Sequence, residues 1–463
     1  MKNELLKQLA AGGQEHLLAF WDELDDAGRQ SLAEQIRAID FDLIDRIFAH
    51  RHDVTDVRQL LQRAAPPPAF RLDESKNRFT GEEAQRRGEE AAAAGQLGVV
   101  LVAGGQGTRL GFEHPKGMFP IGPVSRRTLF QIHVEKIIAA ARRYGVSIPL
   151  YLMTSPATHD ETVAFFRDND RFGLPEDDLI VFCQGTMPAV DAGTGKILLS
   201  ERGRIATGPD GHGGMLAALK NSRALDDMRR RRIEHLFYFQ VDNPLVDICG
   251  TRLVGYHLLA GSEFSTQVVA KQDPMDKVGN VVEADGRLVV IEYFDLPPDK
   301  AKHRELDGSL SIWAGSIAVH VMDVAFLERM ARHGDALPFH TAYKKVAHVD
   351  RNGRRVKPDR ENGVKFERLI FDLIPSAAGA IVVEVDPAEG FAPLKNAPGE
   401  EIDTPEWVKA QMVAQSRRWL AEAGAEVAEG IDVEICPLWA LDAAEVADKI
   451  QPGTRITEST YFC

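Results

Sequence analysis

The chain has 463 residues, about three times the length of an average domain, so two or three domains are expected. Hydrophobic residues make up 44 % and charged residues 27 % of the sequence, the balance of a globular protein with a large core. The net charge of −14 argues against nucleic acids and anionic membranes as partners, and every apolar run is too short to cross a bilayer. Four scattered cysteines without a CxxC pair predict a reducing compartment, the cytoplasm, and neither a disulfide framework nor a zinc site. The sequence does not decide the oligomeric state, and we expect a monomer.

The first part of the chain is predicted to be helical up to about residue 64. Leucines and isoleucines recur there at helical spacing among charged residues. Pro66, Pro67 and Pro68 end this pattern because proline has no amide donor. From about residue 97, short β-rich runs alternate with longer helical patterns, which is typical of a mostly parallel sheet covered on both faces. The predicted strands are 97–103, 148–154, 178–183, 235–241 and 265–270, and the predicted helices lie near 128–144, 158–168, 213–230 and 251–261.

Two further elements follow toward the C-terminus. Residues 279–295 form two alternating runs around Asp285-Gly286, which predicts a β-hairpin. A smaller mixed region after about residue 391 contains a predicted helix near 405–423. The expected fold is therefore α/β, with a central doubly wound, Rossmann-like, mostly parallel sheet, an N-terminal helical region and a small mixed C-terminal domain. The predicted boundaries are 1–95, 96–390 and 391–463.

The ends of the predicted strands indicate where a ligand would bind. In an open α/β sheet, ligands bind beyond the carboxyl ends of the strands. Small, amide or acidic residues follow four of these strands: Gly104-Gly105-Gln106-Gly107, Thr154-Ser155, Gln184-Gly185 and Asp242-Asn243. This edge of the sheet is therefore predicted to be polar and to hold the site.

The most informative segment is the sequence GGQGTRLG at 104–111, with PKG at 115–117. Glycines allow positive φ and bring backbone amides close to an anion. A P-loop would need GxxxxGK[ST], which is absent, and a dinucleotide fingerprint would need its third glycine one position earlier. The third interpretation is a loop around a nucleoside triphosphate, with Arg109 and Lys116 neutralising its phosphates. We favour this interpretation over a plain glycine-rich turn beside surface charges.

The loop and seven further segments resemble, in the same order, the UTP-dependent sugar-1-phosphate uridylyltransferases. The eukaryotic-type UDP-N-acetylhexosamine pyrophosphorylases are the most similar branch. The segments are YLMTS at 151–155, CQGTMPA at 183–189, GPDGHGG at 208–214, VDNPLV at 241–246, VIEYFD at 290–295, GVKFERLIFD at 363–372 and APLKNA at 392–397. The resemblance implies a fold of nucleotidyltransferase type. It also implies an enzyme that makes a UDP-sugar and pyrophosphate from UTP and a sugar 1-phosphate with Mg²⁺.

The resemblance also implies a role for each matched residue. The cationic catalytic residues would be Arg109, Lys116 and Lys395. The nucleotide would be bound by Ala103, Gly104, Gly105 and Gly107 as backbone donors, and by Thr108, Gln184 at the uracil, Pro209, Gly211 and Lys365. The sugar would contact His212, Gly213, Gly279, Glu292, Tyr293 and Ser316, and Asp242 would bind Mg²⁺.

The sugar is the part of the prediction that the sequence leaves open. The acetylhexosamine branch has PDGNGG and NAGN, whereas this chain has His212 in the first motif and Trp313 and Ser316 in the second. N-acetylglucosamine 1-phosphate is the first candidate, and glucose 1-phosphate and galactose 1-phosphate remain candidates. Two rival classes are a nicotinamide-dependent oxidoreductase and a non-catalytic sugar-nucleotide-binding protein. The displaced glycine counts against the first rival, and retention of Lys116, Asp242 and Lys395 counts against the second.

Overall fold

The computed structural model describes residues 1–51, 57–333 and 336–463, and the part of the predicted N-terminal helical region at 52–56 lies outside them. The described residues form two compact units. Unit 1 contains 1–51, 184–217 and 336–372, and unit 2 contains Val57–Cys183, Ala218–His333 and Leu373–Cys463. The three predicted domain boundaries remain predictions.

An eleven-stranded sheet forms the centre of unit 2. In chain order its strands are β1 (Ala64–Ala65), β2 (Ala69–Phe70), β3 (Leu97–Val102), β4 (Leu150–Thr154), β5 (Leu179–Cys183), β6 (His235–Gln240), β7 (Phe264–Ala270), β8 (Gly279–Ala284), β9 (Arg287–Ile291), β10 (Ala314–Asp323) and β11 (Ile381–Glu384). The main path runs β2-β11-β7-β10-β6-β3-β4-β5, and along it only β10 is antiparallel to its neighbours. The predicted mostly parallel sheet is confirmed, and β3 to β7 are the five predicted strands.

Helices lie between the strands of this unit, and three of them are the helices predicted near 128–144, 158–168 and 251–261. The helices are Val57–Arg63, Gly81–Ala93, Leu129–Tyr144, His159–Asp168, Ala224–Arg231, Thr251–Leu259, Pro298–Ala301, Val324–Ala331 and Pro387–Gly390. The strands between them are apolar on both faces, and five of the six residues of β3 are buried. These burial patterns explain why the strands read as continuous hydrophobic runs.

Two helical segments differ from the prediction. The helix predicted near 213–230 is two helices, Met215–Asn221 and Ala224–Arg231, because Arg223 adopts a left-handed φ of 63° that ends the first one. Helix Gly81–Ala93 was not predicted as a helix, and it begins at a capping box formed by Thr80 and Glu83.

Close packing explains the small residues of helix Gly81–Ala93. A Cβ on Gly88 would lie 1.9 Å from the Thr251 carbonyl oxygen, and one on Gly255 would lie 1.6 Å from the Ala84 carbonyl oxygen. The helix therefore contacts helix Thr251–Leu259 backbone to backbone. Glycine and alanine in this segment serve packing rather than chain flexibility.

The predicted hairpin is strands β8 and β9, whose register pairs Ala284 with Arg287. Its turn residues Asp285 and Gly286 have φ of 52° and 74°, the positive values that a type I′ turn requires. Strand β8 also pairs with β10, opposite Gly315 and Ser316. The hairpin is thus joined to the central sheet beside the last two residues of the segment WAGS at 313–316.

Unit 1 combines helices with short antiparallel strands. Its helices are Lys2–Ala11, Asp26–Arg37 and Phe41–Ala49, as expected for an N-terminal helical region. Its strands are Thr186–Pro188, Val190–Asp191, Leu199–Glu201, Arg204–Ile205, Thr207–Pro209, His340–Lys344, His348–Val349, Arg355–Val356 and Gly363–Glu367. Leu9, Leu32 and Phe366 are buried in one core, which joins the helices to the strands.

The end of unit 2 is a small module of helices and paired strands. The predicted helix is Pro405–Glu422, and a shorter helix is Ala443–Lys449. Strand Glu426–Val427 pairs with Arg455–Ile456, and Val433–Ile435 pairs with Thr460–Phe462. Among the helices of the described ranges, none has both the length and the apolar character that a membrane crossing requires.

Candidate active site

The loop after β3 is folded back on itself at the carboxyl edge of the sheet. The Lys116 N–H donates to the Gly105 carbonyl over 3.0 Å, and the Gly107 N–H donates to the His114 carbonyl over 2.9 Å. The Ser155 hydroxyl, which follows β4, donates to the Gly104 carbonyl over 2.7 Å. The loop is therefore a fixed structure at the position that the strand order predicts for a ligand.

Two of the four predicted backbone donors have a different role. The Ala103 N–H donates to the Met153 carbonyl over 2.8 Å, and the Gly107 N–H is used inside the loop, so these two are not available to a phosphate. Within the described ranges the N–H groups of Gly104 and Gly105 donate to no protein acceptor. Two consecutive unbonded N–H groups can bind an anion. Of the predicted set, Gly104 and Gly105 therefore remain available for that role.

The glycines of the loop differ in the reason for which a side chain is absent. Gly107 has φ of −81°, and a Cβ there would lie 2.9 Å from the Phe112 carbonyl oxygen. A Cβ on Gly105 would meet no protein atom within 4 Å. Positive φ is found instead at Gly111, which has φ of 69° and ends the short helix Thr108–Leu110. Gly105 thus leaves open space on the exposed side of the loop.

Three predicted site residues meet around the backbone of Leu394. Its N–H donates to the Asp242 carbonyl over 2.8 Å, and its carbonyl accepts from Lys116 Nζ over 3.3 Å. Lys395 follows directly, with Nζ 5.5 Å from the centre of the Phe391 ring. The structure therefore brings Lys116, Asp242 and Lys395 together. Arg109 is exposed on the loop and forms no ion pair with any described residue.

Two buried residues that sequence reasoning missed hold this arrangement. The Asn243 side chain accepts from the Ala392 N–H over 3.0 Å and donates to the Gly390 carbonyl over 2.8 Å. His133, on helix Leu129–Tyr144, donates through Nε2 to the Val241 carbonyl over 3.0 Å. Burial lowers the pKa of His133 to about 3, so its imidazole is neutral. The polar strand end at Asp242-Asn243 was the available signal for Asn243.

Asp403 is a second carboxylate at this place. Its carbonyl accepts from the N–H groups of Lys395 and Asn396, both over 2.9 Å. Burial raises the pKa of the Asp403 carboxyl, and the charge of Asp242 raises it further, while Lys395 opposes the shift. The carbonyls of Asp242 and Asp403 thus accept from consecutive residues, Leu394 and Lys395, which brings the two acidic residues to the same place. No sequence pattern indicated this residue.

The predicted sugar-binding residues of unit 2 lie on neighbouring strands. Gly279 of β8 is paired with Ser316 of β10, and a Cβ on Gly279 would lie 2.8 Å from the side chain of Val290. Glu292 and Tyr293 follow β9, and Tyr293 is 41 % exposed. These four residues are therefore grouped at one end of the hairpin.

Trp313 has a packing role that the sequence did not indicate. The Arg71 guanidinium lies 3.6 Å from the centre of its ring and forms an ion pair with Glu384 over 2.7 Å. The Trp313 carbonyl accepts from the Lys271 N–H over 2.9 Å. The indole is buried beneath the Arg71 guanidinium, so packing accounts for a tryptophan at this position.

The predicted residues of unit 1 gather around a second set of glycines. The Asp210 N–H donates to the Gly185 carbonyl over 3.2 Å, and the Gly213 N–H donates to the Arg368 carbonyl over 2.8 Å. Gly211 has φ of 84°, and a Cβ there would lie 2.3 Å from the Arg368 carbonyl oxygen. Pro209 ends the strand that pairs with Thr186–Pro188. The segments at 184–188, 208–214 and 363–368 are thus in contact.

Three side chains in this cluster have distinct environments. Gln184 is buried and hydrogen-bonds no described side chain or backbone group. His212 accepts the Ile370 N–H at Nδ1 over 3.2 Å, and burial lowers the pKa of His212 to about 4, so the ring is neutral. Lys365 lies against Gly208, whose Cβ would be 3.3 Å from Lys365 Nζ. Asp210, within the predicted segment 209–213, is a buried carboxylate whose Oδ1 has no hydrogen-bond partner within the described ranges.

Residues 47–441 match the sequence profile of the family described as UTP–glucose-1-phosphate uridylyltransferase. The chain belongs to this family. It is 35 % identical to the human UDP-N-acetylhexosamine pyrophosphorylase-like protein 1, in an alignment that covers 92 % of this chain and 86 % of the human protein. It is 37 % identical to the UDP-N-acetylglucosamine pyrophosphorylase of Saccharomyces cerevisiae, in an alignment that covers 76 % of this chain and 75 % of the yeast protein.

A solved structure of similar shape agrees with the family assignment. The uridine diphosphate N-acetylglucosamine pyrophosphorylase from Trypanosoma brucei, in complex with an inhibitor, has a TM-score of 0.83 and 25 % identity. The match covers 98 % of each chain. The predicted fold is thus that of the uridylyltransferase family.

One cavity of this uridylyltransferase lies within unit 2. Its volume is about 1000 Å³, and Lys136, Asp247 and Trp419 are among the residues that line it. None of the predicted site residues lines it. This cavity therefore does not coincide with the site predicted at the strand ends and the loop after β3.

Proposed function

We propose that the chain transfers a uridylyl group from UTP to a sugar 1-phosphate and that N-acetylglucosamine 1-phosphate is the preferred acceptor. The products are the UDP-sugar and pyrophosphate. Membership of the uridylyltransferase family supports the reaction class, and the names of the relatives support the acetylated sugar. The observation that carries the proposal is the meeting of Lys116, Asp242 and Lys395 around Leu394, beside the unbonded N–H groups of Gly104 and Gly105.

The reaction needs charge neutralisation and position rather than a general base. A phosphate oxygen of the sugar 1-phosphate attacks the α-phosphorus of UTP, and the bond to the bridging oxygen breaks as pyrophosphate leaves with the electron pair. The attacking phosphate is largely ionised near neutral pH, since the second pKa of a phosphate is about 6. We assign Arg109 and Lys116 to the leaving phosphates and Lys395 to the α-phosphate region. Gly104 and Gly105 hold the triphosphate through their N–H groups.

The donor set at the end of β6 fits Mg²⁺. The Asp242 carboxylate has no hydrogen bond or ion pair within the described ranges, and the Asp403 carboxyl is close enough to respond to its charge. Carboxylate oxygens together with substrate phosphates are the ligands that Mg²⁺ takes in nucleotide-dependent enzymes. Asp242 would hold the ion, with Asp403 beside it, and the bound ion would supply charge stabilisation at the α-phosphate.

The assignments on unit 1 rest on the glycine cluster. Gln184 offers an unbonded buried amide, and an amide can pair with the donor and acceptor on the edge of uracil. Pro209, Gly211 and Lys365 are assigned to the nucleotide, and Thr108 of unit 2 has the same assignment. His212 and Gly213 are assigned to the sugar, together with Gly279, Glu292, Tyr293 and Ser316 of unit 2.

The acceptor is tested with a panel of sugar 1-phosphates. Pyrophosphate release from UTP and Mg²⁺ is measured with N-acetylglucosamine, glucose and galactose 1-phosphates. We expect the highest kcat/KM with N-acetylglucosamine 1-phosphate. A higher value with glucose 1-phosphate would favour the alternative, a UTP–glucose-1-phosphate uridylyltransferase. We consider this alternative because His212 and Ser316 depart from the motifs of the acetylhexosamine branch. No release with any acceptor would contradict the reaction class.

The cellular setting is proposed from sequence and structure together. All four cysteines are outside disulfides, as expected for a protein of the cytoplasm. We propose that the enzyme acts there as a monomer on small-molecule substrates. Light scattering of the purified protein tests the monomer, since a dimer would double the mass of 51.1 kDa.

A further inference from the structure

A buried lysine that the proposed mechanism does not use lies directly after β7. Lys271 is 8 % exposed, and its Nζ donates to the Asn280 Oδ1 over 2.7 Å and to the Pro274 carbonyl over 3.1 Å. It forms no ion pair with any described carboxylate. An ammonium group at such a place is retained only where hydrogen bonds replace its hydration. The residues that accept these hydrogen bonds therefore show which parts of the structure Lys271 connects.

The main acceptor, Asn280, continues the chain of hydrogen bonds. Asn280 is 1 % exposed on β8, and its Nδ2 donates to the Ile291 carbonyl and to the Val278 carbonyl, both over 3.2 Å. In the sheet register Asn280 stands opposite Ile291 of β9 and Gly315 of β10. The side chains of Lys271 and Asn280 thus connect β7 to both strands of the hairpin.

The ends of this connection are next to the residues assigned to the sugar. Ile291 directly precedes Glu292, Asn280 directly follows Gly279, and Gly315 directly precedes Ser316. We propose that Lys271 and Asn280 form a relay that positions Gly279, Glu292 and Ser316 and thereby sets the affinity for the sugar 1-phosphate. This inference rests on the proposed function. Lys271 and Asn280 are positioning residues, because they act through the backbone of their neighbours.

The chemistry of the relay explains why an ammonium group is needed. Without it, the Asn280 oxygen and the Pro274 carbonyl lose their donor in a place that excludes water, so the amide is free to turn away from Ile291. Burial lowers the pKa of Lys271, and the nearby carboxylates of Asp276 and Asp273 oppose that shift. A displacement of about 1 Å in a binding group is enough to weaken productive binding substantially.

The relay makes a selective prediction about the two substrates. It contacts no residue of the loop after β3 that we assign to UTP. Lys271→Met removes the donor with little change in side-chain volume. Asn280→Asp keeps an acceptor for Lys271 but cannot donate to the Ile291 carbonyl. Lys302→Met, at an exposed lysine outside the site, is the control for the loss of one positive charge.

The test measures pyrophosphate release by the full-length enzyme with each substrate varied in turn. We expect both relay variants to raise the KM for the sugar 1-phosphate by about tenfold, with the KM for UTP within about twofold of wild type. The double variant should be no weaker than either single variant, because both break one connection. Binding of the UDP-sugar and of UTP is measured by calorimetry as a second readout, independent of turnover.

The outcomes separate the relay from the reaction class. An active wild type with unchanged sugar KM in Lys271→Met, or with the KM for UTP raised equally, would overturn the relay and leave the uridylyltransferase assignment standing. A wild type that neither releases pyrophosphate nor binds a UDP-sugar would overturn both. A selective loss of sugar affinity in the relay variants, absent in Lys302→Met, supports the relay.

Discussion

Asn243 holds the backbone of Ala392 through a hydrogen bond of 3.0 Å from the Ala392 N–H to Oδ1. The same side chain donates to the Gly390 carbonyl over 2.8 Å, so both ends of the segment before Leu394 are tied to the end of β6. Leu394 then binds the Asp242 carbonyl and accepts from Lys116. The buried Asn243 amide thereby fixes the segment before Leu394 against the end of β6. Its removal should affect the reaction centre as well as stability.

Asn243→Ala should lower kcat/KM by about 10- to 100-fold, because the segment that carries Lys395 loses its attachment. The free energy of unfolding should fall by about 1–3 kcal/mol, since the N–H groups of Ala392 and Leu245 and the Gly390 carbonyl lose their partner. Pyrophosphate release and urea unfolding measure the two effects. Asn169→Ala removes an exposed asparagine that bonds only a local carbonyl, and serves as control. Unchanged kcat/KM in Asn243→Ala would show that the attachment is dispensable.

Lys116→Met, Lys395→Met and Arg109→Ala should each lower kcat/KM by roughly 10²–10³, the effect of removing one group that stabilises the transition state. Their melting temperatures should stay near that of wild type. Among the described residues the Lys116 side chain makes a single hydrogen bond, a long one of 3.3 Å, and Arg109 is exposed. Turnover is measured with saturating Mg²⁺, and Lys302→Met again controls for charge. A variant with near-wild-type turnover would remove its residue from the mechanism.

The sequence predicts those parts of the molecule that local patterns determine. Alternating and continuous apolar runs predict the five parallel strands, and Asp285-Gly286 predicts the hairpin turn, because the backbone geometry there needs these residues. The break at Arg223 was not predicted, since helical propensity continues across it. Lys271 and Asn280 are nine residues apart in sequence, yet their bond depends on how β7 and β8 each pair with β10. Contacts of this kind follow from tertiary packing, which a single sequence does not display.

The same reason explains the errors within the predicted site. The resemblance selected Lys116, Asp242 and Lys395 on three separate segments, and the structure brings these segments together at Leu394. It could not reveal that the Ala103 and Gly107 N–H groups are already bonded inside the protein. Whether a backbone donor is available depends on the fold of the loop, and the amino-acid letters do not encode it directly.

His133 makes stability depend on pH in a defined direction. Burial lowers the pKa of His133 to about 3 from an ordinary value of 6.5. Between these two pH values the His133 imidazole stays neutral in the folded protein but takes up a proton in the unfolded chain. The contribution of His133 to the free energy of unfolding is therefore fully present above about pH 6.5 and is lost as the pH falls toward about 3. In His133→Gln, whose amide can still donate to the Val241 carbonyl, this loss should disappear.

The measurement is urea unfolding of wild type and His133→Gln at pH 7.5, 6.5 and 5.5. Below its unfolded pKa, one proton changes the free energy of unfolding by up to about 1.4 kcal/mol per pH unit. The free energy of unfolding of His133→Gln should therefore change less with pH, by up to that amount per pH unit. His212 and His257, whose pKa values burial also lowers, act in the same direction and remain in both proteins. Parallel curves for the two proteins would contradict a neutral His133.

Gly105 and Gly107 provide a paired test of the triphosphate loop. A Cβ on Gly107 would lie 2.9 Å from the Phe112 carbonyl oxygen, whereas one on Gly105 would meet no protein atom within 4 Å. Gly107→Ala should therefore lower the free energy of unfolding by about 1–3 kcal/mol, since the loop must shift to make room. Gly105→Ala should leave the melting temperature unchanged. If the loop holds the triphosphate through the Gly105 N–H, the added methyl group meets the phosphates instead.

The expected result for Gly105→Ala is a KM for UTP raised by about tenfold or more, with the KM for the sugar 1-phosphate little changed. Gly193→Ala is a suitable control, because its Cβ would make only an ordinary contact of 3.6 Å in an exposed turn. Kinetics and thermal unfolding are measured on the same preparations. A Gly105→Ala enzyme with wild-type KM for UTP would place the triphosphate away from this loop. An equal fall in stability for both glycine variants would instead mean that Gly105 serves the loop's own fold.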